Sequence, residues 1–276
     1  MKGSREVTFT KMHGCGNDFI FLDCLRGGIG DLGKAAKRLC DRRFGIGADQ
    51  LLTIHPSKVA DFKMEIYNAD GGQVEMCGNG IRCFAKYVYD HGLTKKRELE
   101  VETLAGVVRP RLVADQVEVD MGEPVLEGRK IPVNADGKII NFPLEVGGVA
   151  YRVTCVSMGN PHCVLYLDDL DYLDLERIGP RFEHHPFFPK RVNTEFVQVL
   201  GPHEVRMRVW ERGAGETWAC GTGACAAAVA GALSGKNGRK VTVHLKGGDL
   251  LVDWRENNRV YMTGGAEEVF RGVVDI

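Results

Sequence analysis

The sequence predicts an α+β protein built from two similar domains. Short runs at 62–67, 205–210 and 241–246 alternate apolar and polar residues, a pattern typical of half-buried strands. Glycine supplies 35 of the 276 residues, so many turns and much antiparallel sheet are expected. A Cys-Gly-x-Gly sequence occurs twice, at Cys77 and at Cys220, each time after a strand-like run and a glycine-rich turn. This repetition indicates an internal duplication.

Three segments have the composition and spacing of helices. The first, 31–44, opens on Asp31, a residue type common at helix N-caps, and stops before a glycine. The second, 81–91, carries apolar residues at i, i+3, i+4 and i+7. The third, 224–234, is small and apolar on every side, which predicts burial all round. The two Cys-Gly-x-Gly sequences lead into the second and third segments.

Bulk composition argues against several kinds of partner. Lysine plus arginine (36) balances aspartate plus glutamate (37), so no basic surface favours nucleic acid. No apolar run approaches the roughly 20 residues of a membrane helix, and we expect no membrane association. The N-terminal segment MKGSREVTFT has neither an apolar signal core nor the composition of a transit peptide. These features predict a cytoplasmic protein.

The nine cysteines are predicted to be mostly reduced thiols. Their number is odd, the chain is not a small secreted scaffold, and no CxxC pair occurs. The close spacings, 155 with 163 and 220 with 225, lack the second pair that a zinc tetrad requires. We therefore expect no metal site. No pyridoxal-binding or dinucleotide-binding sequence is present either, so no cofactor is expected.

Each Cys-Gly-x-Gly sequence places a thiol where a helix begins. The N–H groups and dipole of a helix start favour thiolate and can also bind a carboxylate. If the two domains face each other, Cys77 and Cys220 would flank one carbon atom. One thiolate would remove a proton and the other thiol would deliver one from the opposite side, inverting a stereocentre. Candidates for stabilising the charge that develops on the carboxylate are the N–H groups of Gly78, Asn79, Gly221 and Thr222.

Six segments together resemble the diaminopimelate epimerase family along nearly the whole chain. They are KMHGCGNDF at 11–19, GADQ at 47–50, YNADGGQVEMCGNGIRC at 67–83, GNPH at 159–162, NTEFV at 193–197 and WERGAGETWACGTGAC at 210–225. Their combination is much more specific than any single segment. The family commonly has serine where Gly72 stands here, a small change at a turn. Cys15 occupies a position that varies in the family, so we interpret Cys15 as structural.

The resemblance implies roles for individual residues. Cys77 and Cys220 are the acid and base, and His162 and Glu211 assist catalysis. The reacting α-carboxylate is held by Gly78, Asn79, Gly221 and Thr222. The implied substrate-binding residues are Asn17, Gln50, Asn68, Asn160, Asn193, Glu211 and Arg212, the last pairing with the carboxylate of the non-reacting end. These side chains suit a diamino diacid, because amides donate and accept, glutamate meets ammonium, and arginine grips a carboxylate bidentately.

The resemblance also implies an architecture, a reaction and an assembly. The expected domains are 1–121 plus 266–276 and 122–265, each a mainly antiparallel sheet or barrel wrapped on a central helix. A boundary near 121–124 also follows from the residues, since a Gly-Glu-Pro turn follows the strand-like run 117–119. The implied reaction converts LL-2,6-diaminopimelate to the meso isomer for lysine and peptidoglycan precursors. The implied assembly is a homodimer.

Four other functions remain open at this point. A cysteine racemase of the proline racemase type would share the fold and chemistry, but a monocarboxylate needs no distal arginine. An isomerase of the phenazine-biosynthesis type would share the fold without the cysteine pair. A non-catalytic small-molecule binding protein would need no matched thiols. A thiol redox enzyme would need a redox partner for activity.

Overall fold

A computed structural model describes residues 5–276 and divides them into two compact units. The first unit comprises the described residues up to Val119 together with Gly264–Ile276, and the second comprises Asp120–Thr263. Met1–Ser4 belong to the N-terminal segment expected to lack a signal and to the predicted first domain, and they lie outside the described residues. Across the described range, each unit is rich in β-sheet and has two α-helices.

The first unit has a sheet with the order β19-β1-β2-β3-β4-β6-β7, and β5 pairs with β4. Helix α2 packs on β1, and α1 packs on β3 and β4. The strands β8 and β9 form a hairpin, and the last residue of β9, Asp120, begins the second unit. The elements are β1 (Glu6–Gly14), β2 (Asn17–Asp23), α1 (Leu32–Leu39), β3 (Gln50–His55), β4 (Phe62–Asn68), β5 (Gln73–Val74), α2 (Gly78–Asp90), β6 (Val101–Thr103), β7 (Gly106–Val108), β8 (Pro110–Val113), β9 (Gln116–Asp120) and β19 (Glu267–Asp275).

The second unit has the strand order β10-β11-β12-β13-β14-β16-β17-β18, and β15 pairs with β14. Helix α4 packs on β11, β12, β13, β16 and β17, whereas α3 packs on β13, β14 and β15. The elements are a 3-10 turn (Gly128–Lys130), β10 (Phe142–Val146), β11 (Val149–Ser157), β12 (Pro161–Tyr166), α3 (Leu175–Glu183), β13 (Asn193–Gly201), β14 (Glu204–Glu211), β15 (Gly215–Thr217), α4 (Gly221–Ser234), β16 (Lys240–Leu245), β17 (Gly248–Trp254) and β18 (Val260–Gly264).

The two units repeat one strand pattern. Strands β1 to β7 pair antiparallel, parallel, antiparallel, antiparallel, parallel and antiparallel, and β11 to β17 do the same. The register also repeats, because Phe19 lies opposite Gln50 as His162 lies opposite Asn193. Along the chain, His162 follows Phe19 and Asn193 follows Gln50 by the same number of residues by which Cys220 follows Cys77. The predicted α+β class and duplicated organisation are confirmed. Within residues 5–276 neither strand order closes on itself into a barrel.

Helix ends depart from the sequence prediction by a few residues. Asp31 caps α1 as expected, through a hydrogen bond from Lys34 N. Both α2 and α4 begin a few residues before the predicted start, because the cysteine before each helix is its N-cap. Helix α4 ends at Gly235, whose φ of 70° is left-handed. Helix α3 was not predicted, since it contains Pro180 and few apolar residues.

The central helices are buried to different degrees. The first turns of α4 are buried except at Thr222, in agreement with its small apolar sequence. Helix α2 is amphipathic but includes Arg82, which is fully buried. The Arg82 guanidinium donates to Gly78 O and Gly265 O, so it joins the start of α2 to the segment before β19.

Candidate active site

Helix α2 begins at a cysteine that caps it. Cys77 has extended backbone angles (φ −137°, ψ 120°), and its Sγ accepts a hydrogen bond from Gly80 N at 3.4 Å. A Cβ on Gly80 would lie 3.2 Å from Leu52 Cδ2 and 3.3 Å from Cys77 Cβ, so glycine permits the close packing. The thiol therefore lies over the first turn, beside N–H groups that have no acceptor within the helix.

The amide side chain of Asn17 contacts Cys77, and that of Asn79 contacts Asn17. Asn17 Oδ1 lies 3.6 Å from Cys77 Sγ and accepts a hydrogen bond from Asn79 Nδ2 at 3.2 Å. Asn17 Nδ2 donates to Asp49 Oδ2 at 2.7 Å. Because a carboxylate only accepts, Asp49 fixes which end of the Asn17 amide faces the thiol.

A second amide pair lies at the first residue of β3 and the last residue of β4. Gln50 Nε2 donates to Asn68 Oδ1 at 2.8 Å, and the two residues lie opposite each other in strands β3 and β4. Gln50 Oε1 and Asn79 Oδ1 are buried and have no hydrogen-bond partner among residues 5–276. Unsatisfied buried acceptors cost about 1–3 kcal/mol each, so both are suited to a ligand's ammonium. We call Asn17, Gln50, Asn68, Cys77 and Asn79 the α2 mouth.

A cluster of charged side chains lies next to Asn17 of the α2 mouth. Asp18 accepts hydrogen bonds from Lys11 Nζ at 2.7 Å, from both terminal nitrogens of Arg42 and from Asp49 N at 2.9 Å. Burial alone would raise the pKa of Asp18, but the bonds from Arg42 and Lys11 outweigh it and hold that pKa well below its ordinary value. The Asp18 carboxylate therefore stays ionised and anchors Asp49, the residue that precedes β3.

Helix α4 begins in the same way as α2. Cys220 has φ −121° and ψ 107°, and its Sγ accepts from Gly223 N at 3.4 Å. Thr222 Oγ1 lies 3.5 Å from Cys220 Sγ. A Cβ on Gly223 would lie 3.2 Å from Cys220 Cβ and 2.7 Å from Glu195 Oε1. Glycine is required here because a glutamate packs against the first turn.

The side chains near Cys220 include titratable groups, whereas those near Cys77 are amides. His162 Nδ1 lies 2.7 Å from Glu195 Oε1, and His162 Nε2 lies 2.9 Å from Asn160 Oδ1. His162 and Glu195 have no exposed surface. Glu211 accepts a short hydrogen bond from Thr217. We call Asn160, His162, Glu211, Cys220 and Thr222 the α4 mouth.

Burial controls protonation in the α4 mouth. It raises the pKa of Cys220 well above the ordinary thiol value, and the carboxylates of Glu211 and Glu195 add to the effect. The hydrogen bonds from Thr222 and Gly223 N oppose this shift without cancelling it. The N–H of the helix start therefore lowers the pKa of Cys220 as expected, but burial and the two carboxylates outweigh it. Burial also raises the pKa of Glu211, against the hydrogen bond from Thr217.

Arg212 lies on an exposed turn that follows β14. Asn193 Oδ1 accepts from Arg212 N at 2.9 Å, and Asn193 Nδ2 donates to Pro161 O at 3.0 Å. Glu183 accepts from Gly213 N at 2.9 Å and from Trp210 Nε1 at 2.7 Å. Asn193 thus holds the turn rather than pointing freely outward, and the Arg212 guanidinium is left near the surface.

A statistical model of the family described as diaminopimelate epimerase matches residues 9–127 and 154–269. The chain belongs to the diaminopimelate epimerase family. The family's protein from Pelotomaculum thermopropionicum is 56% identical over 272 residues, which cover 96% of this chain and 97% of that one. The protein of the same name from Moorella thermoacetica is 57% identical over 272 residues, with 96% and 98% covered.

Solved structures of more distant proteins share the fold of this family member. A phenazine biosynthesis protein of the PhzF family from Bacillus anthracis superposes with a TM-score of 0.71 at 14% identity, covering 99% of this chain and 100% of that one. A hydroxyproline epimerase from Agrobacterium vitis, solved with trans-4-hydroxy-L-proline, has a TM-score of 0.66 at 15% identity, with 100% and 94% covered. At such identities the likeness shows the fold alone.

None of the helices in the described range 5–276 is both long and apolar enough to cross a membrane. In the same range, His, Cys, Asp and Glu side chains form no group of three or more that could hold a metal ion.

The structure brings most of the candidate residues together within each unit. Asn17 contacts Cys77 and Asn79, and Gln50 contacts Asn68 on the adjoining strand. In the second unit, Glu211 contacts Cys220, and His162 contacts Asn160. Sequence reasoning missed Asp49, Glu183 and Glu195. The signal for Glu195 was present: a lone acidic residue inside the apolar strand run 193–197 indicates a buried carboxylate with a partner.

Proposed function

We propose that this protein is an isomerase that epimerises LL-2,6-diaminopimelate to meso-diaminopimelate, in the biosynthesis of lysine and peptidoglycan precursors. The observation that carries the proposal is the pair of helix-capping thiols, Cys77 and Cys220, at equivalent positions of a duplicated fold. Membership of the diaminopimelate epimerase family supports the substrate, since relatives of that name are 56% and 57% identical over nearly the whole chain.

The reaction follows from the thiols. One cysteine, as thiolate, removes the α-proton, and the other, as thiol, protonates the opposite face of the α-carbon. Cys220 suits the acid role, because burial keeps its proton bound. The roles exchange in the reverse direction. His162 and Glu211 assist at the α4 mouth, where Glu211 is poised to exchange protons because its pKa is raised.

Helix-start N–H groups supply the remaining stabilisation. Removal of the α-proton moves negative charge onto the carboxylate oxygens, and general acid–base action contributes only about 10²–10⁴-fold. Donors fixed in advance at the positions where charge develops contribute more in a site that excludes water. The residues proposed for this role are Gly78, Asn79, Gly221 and Thr222, the first two of each central helix.

Recognition of the non-reacting end requires several fixed partners. The substrate has a carboxylate and an ammonium at each end, and only one end is inverted. Glu211 would meet an ammonium, and Arg212 would pair bidentately with the distal carboxylate. The proposed substrate-binding amides are Asn17, Gln50, Asn68, Asn160 and Asn193. Gln50 Oε1 supports this assignment, since it is a buried acceptor with no hydrogen-bond partner in residues 5–276.

Assembly, location, cofactors and domain limits complete the proposal. We propose a cytoplasmic homodimer without metal or cofactor, and domains of 1–121 plus 266–276 and 122–265. The edge strand β19 supports self-association, because Val269, Phe270 and Val273 are 55%, 46% and 61% exposed. Light scattering after gel filtration measures the mass in solution. A monomer at micromolar concentration would contradict the homodimer.

The deciding experiment is an epimerisation assay on LL-diaminopimelate with no cofactor added and chelator present. We expect meso product at a rate that Cys77→Ala and Cys220→Ala each abolish. L-proline and trans-4-hydroxy-L-proline are the comparison substrates and should not react. Turnover of proline but not diaminopimelate would favour a proline racemase. Binding without exchange of the α-proton for solvent deuterium would favour a binding protein, and dependence on a redox partner would favour a thiol oxidoreductase.

A further inference from the structure

A fully buried carboxylate lies behind the α4 mouth. Glu195 is in the middle of the second unit's sheet, on β13, with no exposed surface. Its Oε1 is 2.7 Å from His162 Nδ1, and its Oε2 has no hydrogen-bond partner within residues 5–276. Burying an ion with half its hydrogen-bonding capacity unused is costly. Packing alone does not explain a glutamate at this position.

The first unit shows that the fold does not need this carboxylate. The displacement along the chain that relates Cys77 to Cys220 also relates Leu52 to Glu195 and Phe19 to His162. Leu52 packs on Gly80 as Glu195 packs on Gly223, each against the first turn of the central helix. An apolar pair therefore fills the equivalent space and supports the same helix start.

The contacts of Glu195 lead toward the reacting thiol. His162 Nδ1 faces the Glu195 carboxylate, and Nε2 faces Asn160 Oδ1 at 2.9 Å. Because both partners are acceptors, the ring donates from both nitrogens in this arrangement. Asn160 is the counterpart of Asn17, whose amide is oriented by Asp49 and faces Cys77 at 3.6 Å. A carboxylate thus orients the matching asparagine in both units, directly in one and through a histidine ring in the other.

We propose that Glu195 is a positioning residue: its carboxylate accepts from His162 Nδ1 and fixes the His162 ring, and through that ring it sets the orientation of Asn160 in the α4 mouth. This inference rests on the proposed function, since it assigns Glu195 to the machinery of the same reaction. Glu195 does not touch the substrate. It acts in the way that the carboxylate of a Ser-His-Asp triad holds the orientation of its histidine ring.

A double-mutant cycle tests the proposal. Glu195→Gln keeps the shape and removes the charge, and it should lower kcat about 10- to 100-fold, the usual loss when an outer partner of a catalytic group is removed. KM should change less than about threefold, because no substrate contact is lost. His162→Asn should lower kcat by at least as much, and the double variant should be no slower than His162→Asn alone. Glu118→Gln, which removes a carboxylate paired with Arg111 on the β8–β9 hairpin, is the matched control and should keep the wild-type rate.

The outcomes separate this proposal from the proposed function. A wild-type kcat in Glu195→Gln would overturn the role of Glu195, and so would losses that multiply in the double variant. Either result would leave the proposed epimerase activity standing. The ¹⁵N spectrum of the His162 ring gives a readout independent of turnover, and we expect a protonated Nδ1 in the wild type. A ring protonated on Nε2 alone would overturn the proposal even if Glu195→Gln does not fold or the protein does not act on diaminopimelate.

Discussion

The α2 mouth and the α4 mouth share a backbone arrangement but differ in the side chains near the cysteine. In each, a cysteine caps the central helix and the last glycine of Cys-Gly-x-Gly donates its N–H to the sulfur at 3.4 Å. Around that shared frame, Asn68 in the first unit corresponds to Glu211 in the second, and Phe19 corresponds to His162. The duplication supplies a matched pair of thiols, and the flanking substitutions make them unlike.

This difference suits a reaction that needs one acid and one base at a time. Two identical thiols would have no reason to differ in protonation. Glu211 and Glu195, added to burial, favour the protonated form of Cys220. Under the proposed function, the repeated helix starts supply the two thiols, and the different side chains around them set which thiol holds its proton at rest.

The largest expected effect comes from removing either thiol. Cys77→Ala and Cys220→Ala should each lower kcat for epimerisation at least about 10⁴-fold in both directions, because one proton donor or acceptor is always missing. Serine at either position should leave only a trace, since a hydroxyl is a far poorer base at neutral pH. Circular dichroism should show both variants folded. Near wild-type turnover in Cys77→Ala or in Cys220→Ala would mean that a single base serves both faces of the α-carbon.

The next largest effect concerns Arg212, which has an apolar counterpart in the first unit. Arg212 corresponds to Ala69 in the first unit, and Arg212→Ala should lower kcat/KM about 100-fold by removing a bidentate partner of the distal carboxylate. Arg212→Lys should recover only part of the loss, because an ammonium cannot form the paired contact. Steady-state kinetics on both isomers measure it. Arg206, which pairs with Asp171, offers the control Arg206→Lys, and equal losses at both positions would refute the assignment.

A smaller effect concerns the charged cluster around Asp18 in the first unit. Asp18→Asn should lower the free energy of unfolding by about 2–3 kcal/mol at pH 7, since it leaves the largely buried Lys11 without its carboxylate partner. The pKa of Asp18 is lowered in the folded protein, so its stabilisation is fully present above the unfolded value near 3.9 and is lost as pH falls below it. Urea denaturation at pH 7, 5 and 3 should show the difference between wild type and variant shrinking only at the lowest pH. A difference independent of pH would contradict this account.

The smallest expected effect contrasts two glycines at equivalent turns, Gly72 and Gly215. Gly215 has a φ of 83°, which disfavours any side chain, whereas Gly72 is not among the glycines of positive φ. Gly215→Ser should therefore cost about 1–3 kcal/mol of stability, and Gly72→Ser should stay within about 0.5 kcal/mol. Thermal unfolding of the two variants side by side measures the contrast. Equal losses of stability in the two variants would contradict the expected difference between the two turns.

Much of this organisation was accessible from the sequence because it is local. The alternation at 62–67 and 205–210 predicted β4 and β14, and the repeated Cys-Gly-x-Gly predicted both helix starts to within a few residues. Helix α3 was missed because Pro180 and its polar residues give no helical signal. The His162–Glu195 pair was missed for another reason. It joins strands β12 and β13 across 33 residues of chain, and only strand register brings such residues together.

The effect of burial on Cys220 was also beyond sequence reasoning. A helix start lowers a thiol pKa in general, yet the net shift depends on how much water the fold removes and on which carboxylates lie near. Glu211 and Glu195 come from two different strands, β14 and β13, and both raise the pKa of Cys220. Only the pairing of these two strands in the folded protein brings both carboxylates near the thiol.

The most direct test of the two-base account is the fate of the α-proton in a single passage through the enzyme. Wild-type protein is given LL-diaminopimelate in deuterium oxide, and the meso product is analysed by mass spectrometry and NMR at low conversion. The account predicts deuterium at the inverted carbon of every product molecule, because the thiol that delivers the proton has exchanged with solvent and is not the thiol that removed one. Meso product that retains the original proton at that carbon would show a single base carrying it from one face to the other, and would contradict the central claim.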